Sequence, residues 1–398
     1  MSNSSDTVTV TKQTGWLQRI TRSIAGVFVG LILIIVMIGV LFWNEGRAVT
    51  TAQSLAEGSS MVVSVDAARV DPANEGKLVH VTGTAVVDGA LTDPTFGISA
   101  PGIRLQRTVE MYQWQEESTS ETRKALGGGE ETVTTYSYTR GWSDRQIDSS
   151  AFHQPAGHEN PEMQVGSESF QAPEAAFGAF VLHDNILSAV GDGQALPVTD
   201  ADKPAIETAL GDNRLPVSIA FGKLVLAEKP NTPALGDLRV SYVRIPAGPL
   251  SIIAKQSADS FSPYQTEAGD ALQLVETGSV PSDQMFANAI TVNTAITWIV
   301  RGVGLFLLFV AFALVFAPLS VLADIIPLVG TLVGLGTGLL AFVCAMTVGS
   351  FTIALAWLFY RPLLSLGIVV VGGAIVFGTV MLMRSRAKAK TGPAPAAA

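Results

Sequence analysis

The sequence predicts an integral membrane α-helical protein of four spans joined to a large β-rich α+β extracytoplasmic domain. Three observations carry this. Ile24 to Trp43 is an apolar run without one charge. A second apolar block fills most of Thr291 to Met383. The about 250 residues between them alternate like strands and can bury a core of their own.

Taken in order, residues 1–23 read as a cytoplasmic N-terminal tail, of which 1–10 are polar or low in complexity and expected to lack a fold. Residues 24–43 are the first span, about 20 residues and long enough to cross a bilayer as a helix. A cleaved signal peptide fits less well. The run is too long, and Trp43-Asn44-Glu45-Gly46-Arg47 offers no small-residue cleavage site. Lys12, Arg19 and Arg22 precede the run, which places its start in the cytoplasm.

Residues 44–290 form the domain. It holds 32 of the 34 acidic residues and 16 of the 25 basic ones, a net of about −16. Such a balance argues against nucleic acid as a partner, because phosphate binding needs clustered Lys and Arg. Lys77–Val87, Ile103–Gln115 and Glu131–Trp142 alternate as strands, with Gly127-Gly128-Gly129 at the tip of a long hairpin. Further strands are expected at 216–227, 237–245 and 250–256, and a helix at 199–210. Cys344 is the lone cysteine and lies in an apolar stretch, so no disulfide forms within the chain.

The C-terminal block divides at Asp324-Pro327 and at Arg361-Pro362. Residues 296–322 are the second span. Residues 323–337 read as a short loop with an interfacial or re-entrant segment, bent at Gly330, Gly334, Gly336 and Gly338. Residues 338–358 and 363–383 are the third and fourth spans. The basic tail 384–398 then lies in the cytoplasm, and an even number of crossings results. A fifth span within 328–360 would put that tail outside.

Candidate sites are few. His153, His158 and Glu159, with His183-Asp184 further on, match no zinc spacing, and loop or core histidines are the simpler reading. No nucleophile elbow, phosphate-binding loop or dinucleotide fingerprint is present. The expectation is therefore a protein without cofactor, metal or catalytic residues. Arg301 and Arg361 fall near the outer membrane interface with Trp298, Trp357 and Tyr360, where snorkelling or structural pairing is expected. Gly26 and Gly30, and Gly330, Gly334 and Gly338, recur at four-residue spacing and let helices approach closely, within the chain or between copies.

Several strings resemble the transmembrane protein 43 family, also called LUMA. They are NEGRAV (44–49), TAQSLAEG (51–58), NEGKLVHVTG (74–83), VEMYQWQEE (109–117), YSYTRGW (136–142), GHENP (157–161), GDLRVSY (236–242) and WLFYRPL (357–363). They run in order over roughly 40–390. The resemblance implies one N-terminal span, a large lumenal domain and three C-terminal spans. It also implies an organising role in the endoplasmic reticulum and inner nuclear membrane, with lamins and emerin as partners, self-association, and no established enzymatic activity. The segment after Pro327 is more apolar than in the family's animal members, and the Ala- and Gly-rich composition suggests a bacterial homologue. Nuclear-envelope partners would then not transfer.

The expectation is a non-enzymatic multi-pass protein that scaffolds membrane complexes as a homo-oligomer in the lipid bilayer. It would lie in a bacterial inner membrane with the domain in the periplasm. The alternatives are the endoplasmic reticulum and inner nuclear membrane with the domain lumenal, a transporter or channel subunit built around Arg301 and Arg361, or a tethered hydrolase using His158, Glu159 and His183.

Overall fold

The computed structural model describes residues 6–211 and 216–362, with Gly367 and Met381. The expected fourth span, 363–383, is therefore almost entirely outside the described residues, as is the basic tail. The chain divides into two compact units. One holds residues 6–14, 54–125 and 130–290, and the other holds 15–53, 126–129 and the residues from Thr291 on.

The first unit is built on two sheets. Its principal strands are β1 (Asp6–Thr14), β2 (Leu78–Val86), β3 (Arg104–Lys124), β4 (Glu130–Ser143), β5 (Val217–Ala220), β6 (Lys223–Leu226), β7 (Leu238–Ile245) and β8 (Pro249–Ser257). The eight-stranded sheet runs β1-β4-β3-β7-β6-β5, with Gln194–Leu196 on β7 and Glu168–Gln171 on β3. A seven-stranded sheet is centred on the antiparallel pair β2 and β8. One helix, α2 (Lys203–Leu210), starts at a capping box in which Thr199 and Asp202 satisfy each other's backbone. Strand alternation puts Leu105, Arg107, Val109, Met111 and Gln113 of β3 on its buried face. That face meets Phe96, Ile206, Leu224, Val240 and Tyr242 in one core, while Val79, Val81, Phe177, Leu182 and Ile252 build another.

One buried polar group organises the first core. Asp93 is fully buried, and it accepts from Arg107 Nη1 at 2.6 Å, the Tyr242 hydroxyl at 2.7 Å and the Thr95 amide at 2.9 Å. Burial, reinforced by the bond to Asp93, raises the Tyr242 hydroxyl far above its ordinary pKa, so it stays a donor.

The N-terminal residues correct the sequence reading. Asp6–Thr14 is no unstructured tail. It pairs antiparallel with β4, from Asp6 opposite Tyr138 to Thr14 opposite Glu130. The alternation Thr7-Val8-Thr9-Val10-Thr11 is a strand pattern that a count of flanking charges overlooks.

The second unit is helical. Its helices are α1 (Trp16–Met61), α3 (Ser282–Ala323) and α4 (Pro327–Tyr360), of 46, 42 and 34 residues, with the end of α1 from Ser54 and the start of α3 to Ile290 belonging to the first unit. All three have segments long and apolar enough to cross a membrane. At 1.5 Å per residue they measure about 69, 63 and 51 Å, so a hydrocarbon core of about 30 Å takes up only part of each. The sequence reading is corrected again at 323–337. The helix begins at Pro327 and runs unbroken through 328–337, so residues 328–360 cross at most once. Proline suits the first turn, where its missing N–H costs nothing. The glycines that suggested a bend stay helical because backbone groups facing lipid have no other partner.

Candidate functional site

The residues with the most chemistry in the helical unit are consecutive. Asn44, Glu45, Gly46 and Arg47 span just over one turn of α1, so the four point in different directions. Asn44 and Arg47, three apart, face α3. Asn44 Nδ2 donates to the Thr297 carbonyl at 3.4 Å. Arg47 donates to Asn293 Oδ1 at 3.0 Å and to Thr297 Oγ1 at 3.1 Å. Asn293 Nδ2 returns a bond to the Ala48 carbonyl at 3.0 Å. Asn293, Thr297 and Arg301 recur at four-residue spacing and so line one face of α3.

Glu45 is the hub. Its side chain is 3% exposed. Arg301 holds it bidentately, Nε to Oε1 at 2.6 Å and Nη2 to Oε2 at 2.7 Å. Trp357 Nε1 of α4 donates to Oε2 at 2.8 Å. The Arg301 guanidinium also lies over the Trp298 ring at 4.8 Å and the Trp357 ring at 5.8 Å. One carboxylate thus ties three helices, and its charge is met by a planar donor fork. Gly46 completes the arrangement. A Cβ there would sit 2.6 Å from Tyr360 Cζ, so only glycine lets that ring lie against α1. Phe42, one turn back, packs on Phe359 and Tyr360.

A second charged pair lies toward the other end of these helices. Arg19 Nη2 meets Asp324 Oδ2 at 2.6 Å, with side chains 8% and 1% exposed. Arg19 Nη1 also donates to the carbonyl of Gly128 at 2.7 Å, and Trp16 Nε1 donates to the Val321 carbonyl at 3.0 Å. Gly128 has φ +80°, and a side chain there would run into the Trp16 ring. Between the two charged pairs the contacts are apolar: Met37, Leu41, Leu308 and Ala345 are buried together.

Half of the sequence candidates gather at these two places. Arg301 and Trp357 meet on Glu45, Trp298 stacks on Arg301, and Tyr360 covers Gly46. Arg361 stands apart: its side chain is exposed, and its backbone N–H closes α4 on the Trp357 carbonyl. Gly26 and Gly30 face Leu314, Ala311 and Val315 of α3, and Gly330 is pressed against Asp324. Gly334 and Gly338 have no atom within 4 Å of an added Cβ. Glu45, Asn44 and Arg47 were missing from the candidates, although an acid just past one apolar run and a base early in another were a readable signal.

The histidines lie elsewhere. His158 is buried, stacked on Tyr138 at 3.9 Å, with Nδ1 3.0 Å from the Gln154 carbonyl and Nε2 3.5 Å from Asp6 Oδ2. His153 stacks on Tyr136, and His183 precedes the short helix Asp184–Leu187. Glu159 accepts from the Gly157 amide, which holds its carboxyl below the usual range. Among the described residues, no three His, Cys, Asp or Glu side chains gather as metal ligands. A groove of about 550 Å3 between α1 and α4 is lined by apolar atoms of Ile38, Gly39, Phe42, Phe351 and Leu355, with no charged group.

Long apolar helices clamped by buried charge, joined to a two-sheet β-rich domain, define a helical membrane protein with a substantial non-membrane part. Comparison with known proteins gives the family. A family model described as Transmembrane protein 43 matches residues 111–362. Human transmembrane protein 43 is 34% identical over 397 residues, covering 96% of this chain and 95% of the human protein. The mouse protein is 34% identical with the same coverage, and a homologue from Drosophila melanogaster is 28% identical over 87% of this chain and 91% of its own. No solved structure matches. The chain belongs to the transmembrane protein 43 family, whose name describes a membrane protein and no enzymatic activity.

Proposed function

We propose that this protein is a non-enzymatic organiser of membrane complexes that associates with itself. The observation carrying the proposal is the knot at Glu45. It engages Glu45, Arg47 and Arg301 with partners inside the chain, which fixes three helices and leaves none of these charges open to a substrate. A buried ion pair contributes conformational specificity more than stability, which suits a platform. Arg301, the residue that motivated a transport pathway, is neutralised by Glu45. Meanwhile α4 leaves Leu328, Leu332, Leu335 and Leu339 exposed at alternating four- and three-residue spacing, beside the open Gly334 and Gly338. That pattern suits a partner helix.

Sidedness is part of the reading. Lys12, Arg19 and Arg22 support a cytoplasmic start to α1. Beyond Trp43 the body of the domain is then extracytoplasmic: periplasmic in a bacterial inner membrane, or lumenal if the chain is eukaryotic.

Crosslinking in native membranes tests the role: homo-oligomers and copurifying membrane proteins are expected, and a strict monomer without partners overturns it. Thiol labelling tests the sidedness. With Cys344→Ser as background, Thr232→Cys is expected to label from the extracytoplasmic side. Labelling of Thr232→Cys from the cytoplasmic side contradicts the reading.

A further inference from the structure

We infer that the groove between α1 and α4 holds an acyl chain of an anionic phospholipid whose phosphate lies on Arg361. The inference goes beyond the organising role proposed above and does not depend on self-association.

The groove is built to stay dry. Ile38, Gly39 and Phe42 of α1 line it with Val348, Phe351 and Leu355 of α4, around a volume of about 550 Å3. Its two threonines, Thr347 and Thr352, spend their hydroxyls on the backbone of α4, donating to the Val343 and Val348 carbonyls at 2.7 and 2.8 Å. A buried water needs two to four polar partners, and walls of apolar atoms do not supply them. Gly39 leaves the space open: a Cβ added there would meet nothing within 4 Å.

Its depth and width suit a lipid chain. Phe42 packs on Tyr360 at 5.4 Å and Glu45 accepts from Trp357, so residues 42–45 of α1 stand level with 357–360 of α4. With the exposed Trp43, these rings mark a membrane interface. Along α4 the stretch from Leu355 to Thr347 lies about 8–20 Å below Tyr360. One leaflet of hydrocarbon is about 15 Å deep, so the groove opens where the chains of one leaflet run. Spread over about 12 Å, its volume gives a cross-section of about 45 Å2, against about 80 Å2 for a helix about 10 Å across. A flexible chain enters such a slot, and a packed helix does not fill it without moving its walls.

Charge selects the head group. At the level of the aromatic rings, Arg47 is bonded to Asn293 and Thr297, and Arg301 to Glu45. Arg361, one residue past Tyr360, is exposed, and its side chain has no acidic partner among the described residues. A guanidinium pairs with phosphate through two parallel N–H donors. A zwitterionic lipid brings its own cation to that phosphate, so an anionic lipid gains more from Arg361.

Photolabelling tests this with the full-length chain in phosphatidylcholine nanodiscs. The probe is phosphatidylglycerol with a diazirine midway along one acyl chain, set against phosphatidylcholine labelled in the same way. Peptide mapping is expected to place the label at residues 38–42 and 347–355, above the other exposed faces of α1, α3 and α4. Labelling there is expected to be about tenfold stronger from the phosphatidylglycerol probe. Gly39→Phe, which fills the open space, is expected to remove the groove label at an unchanged melting temperature. Arg361→Gln is expected to bring the two probes to equal labelling. Label spread evenly over every lipid-facing surface overturns the site, as does groove label that survives in folded Gly39→Phe. A groove free of label while the outer faces react also overturns it, and shows that residues 363–383 or a partner fill the space. Equal labelling by the two probes in the unaltered protein overturns the contact with Arg361. Should Gly39→Phe not fold, the map of the unaltered protein decides the question.

Discussion

Glu45 is the residue on which the helical unit turns. Its carboxylate receives three N–H donors from two other helices while nearly out of reach of solvent. Removing one partner of such a pair strands the other charge, at about 3–5 kcal/mol. Glu45→Ala and Arg301→Ala are each expected to lower thermal stability in detergent accordingly. The double substitution is expected to cost less than their sum, and strict additivity would show that the two do not act as a pair. Glu110 gives a residue-scale test in the other unit. The Arg239 guanidinium, with Lys223, holds its carboxyl below the usual 4.5. A depressed folded pKa stabilises above the unfolded value, and that stability is lost as pH falls through the folded one. Glu110→Gln is expected to flatten the acid limb of the domain's stability below about pH 4.5, read by denaturation across pH, with stability at pH 7 lowered.

At the scale of elements, helix packing depends on small residues placed where backbones meet. A Cβ on Gly30 would stand 2.7 Å from the Ala311 carbonyl oxygen, which is backbone and cannot swing aside. Gly30→Leu is expected to force α1 and α3 apart and lower the melting temperature of the full chain, by about 1–3 kcal/mol in stability. Gly334→Leu, with open space around it, is expected to leave the melting temperature unchanged. The sequence made the long helices and the hairpin arms legible because apolar runs and period-two alternation are local signals. It made Arg301, Trp357 and Tyr360 legible as boundary residues, though not their meeting with Glu45, which joins residues more than 250 positions apart. Likewise Asp6–Thr14 alternates visibly, yet its partner lies beyond a span and much of a domain, and no local pattern encodes that pairing. The glycines of 330–338 misled for the opposite reason: their helix-breaking tendency in water gives way where backbone groups have only one another.

For the whole molecule, the family fixes a membrane protein, and the proposal is that its work is assembly. The Arg19–Asp324 and Glu45–Arg301 pairs buried among the helices are closed within the chain, whereas the leucine stripe of α4 is exposed. Surfaces of that kind gain their partners in a membrane, where copies share one orientation and a high local concentration. The most direct measurement is the mass of the full-length protein, taken from its own membrane into lipid nanodiscs without detergent exchange. A mass at a fixed multiple of one chain, alone or with other membrane proteins, is the expected result. A population at the mass of a single chain, unchanged across protein concentration, would contradict the account.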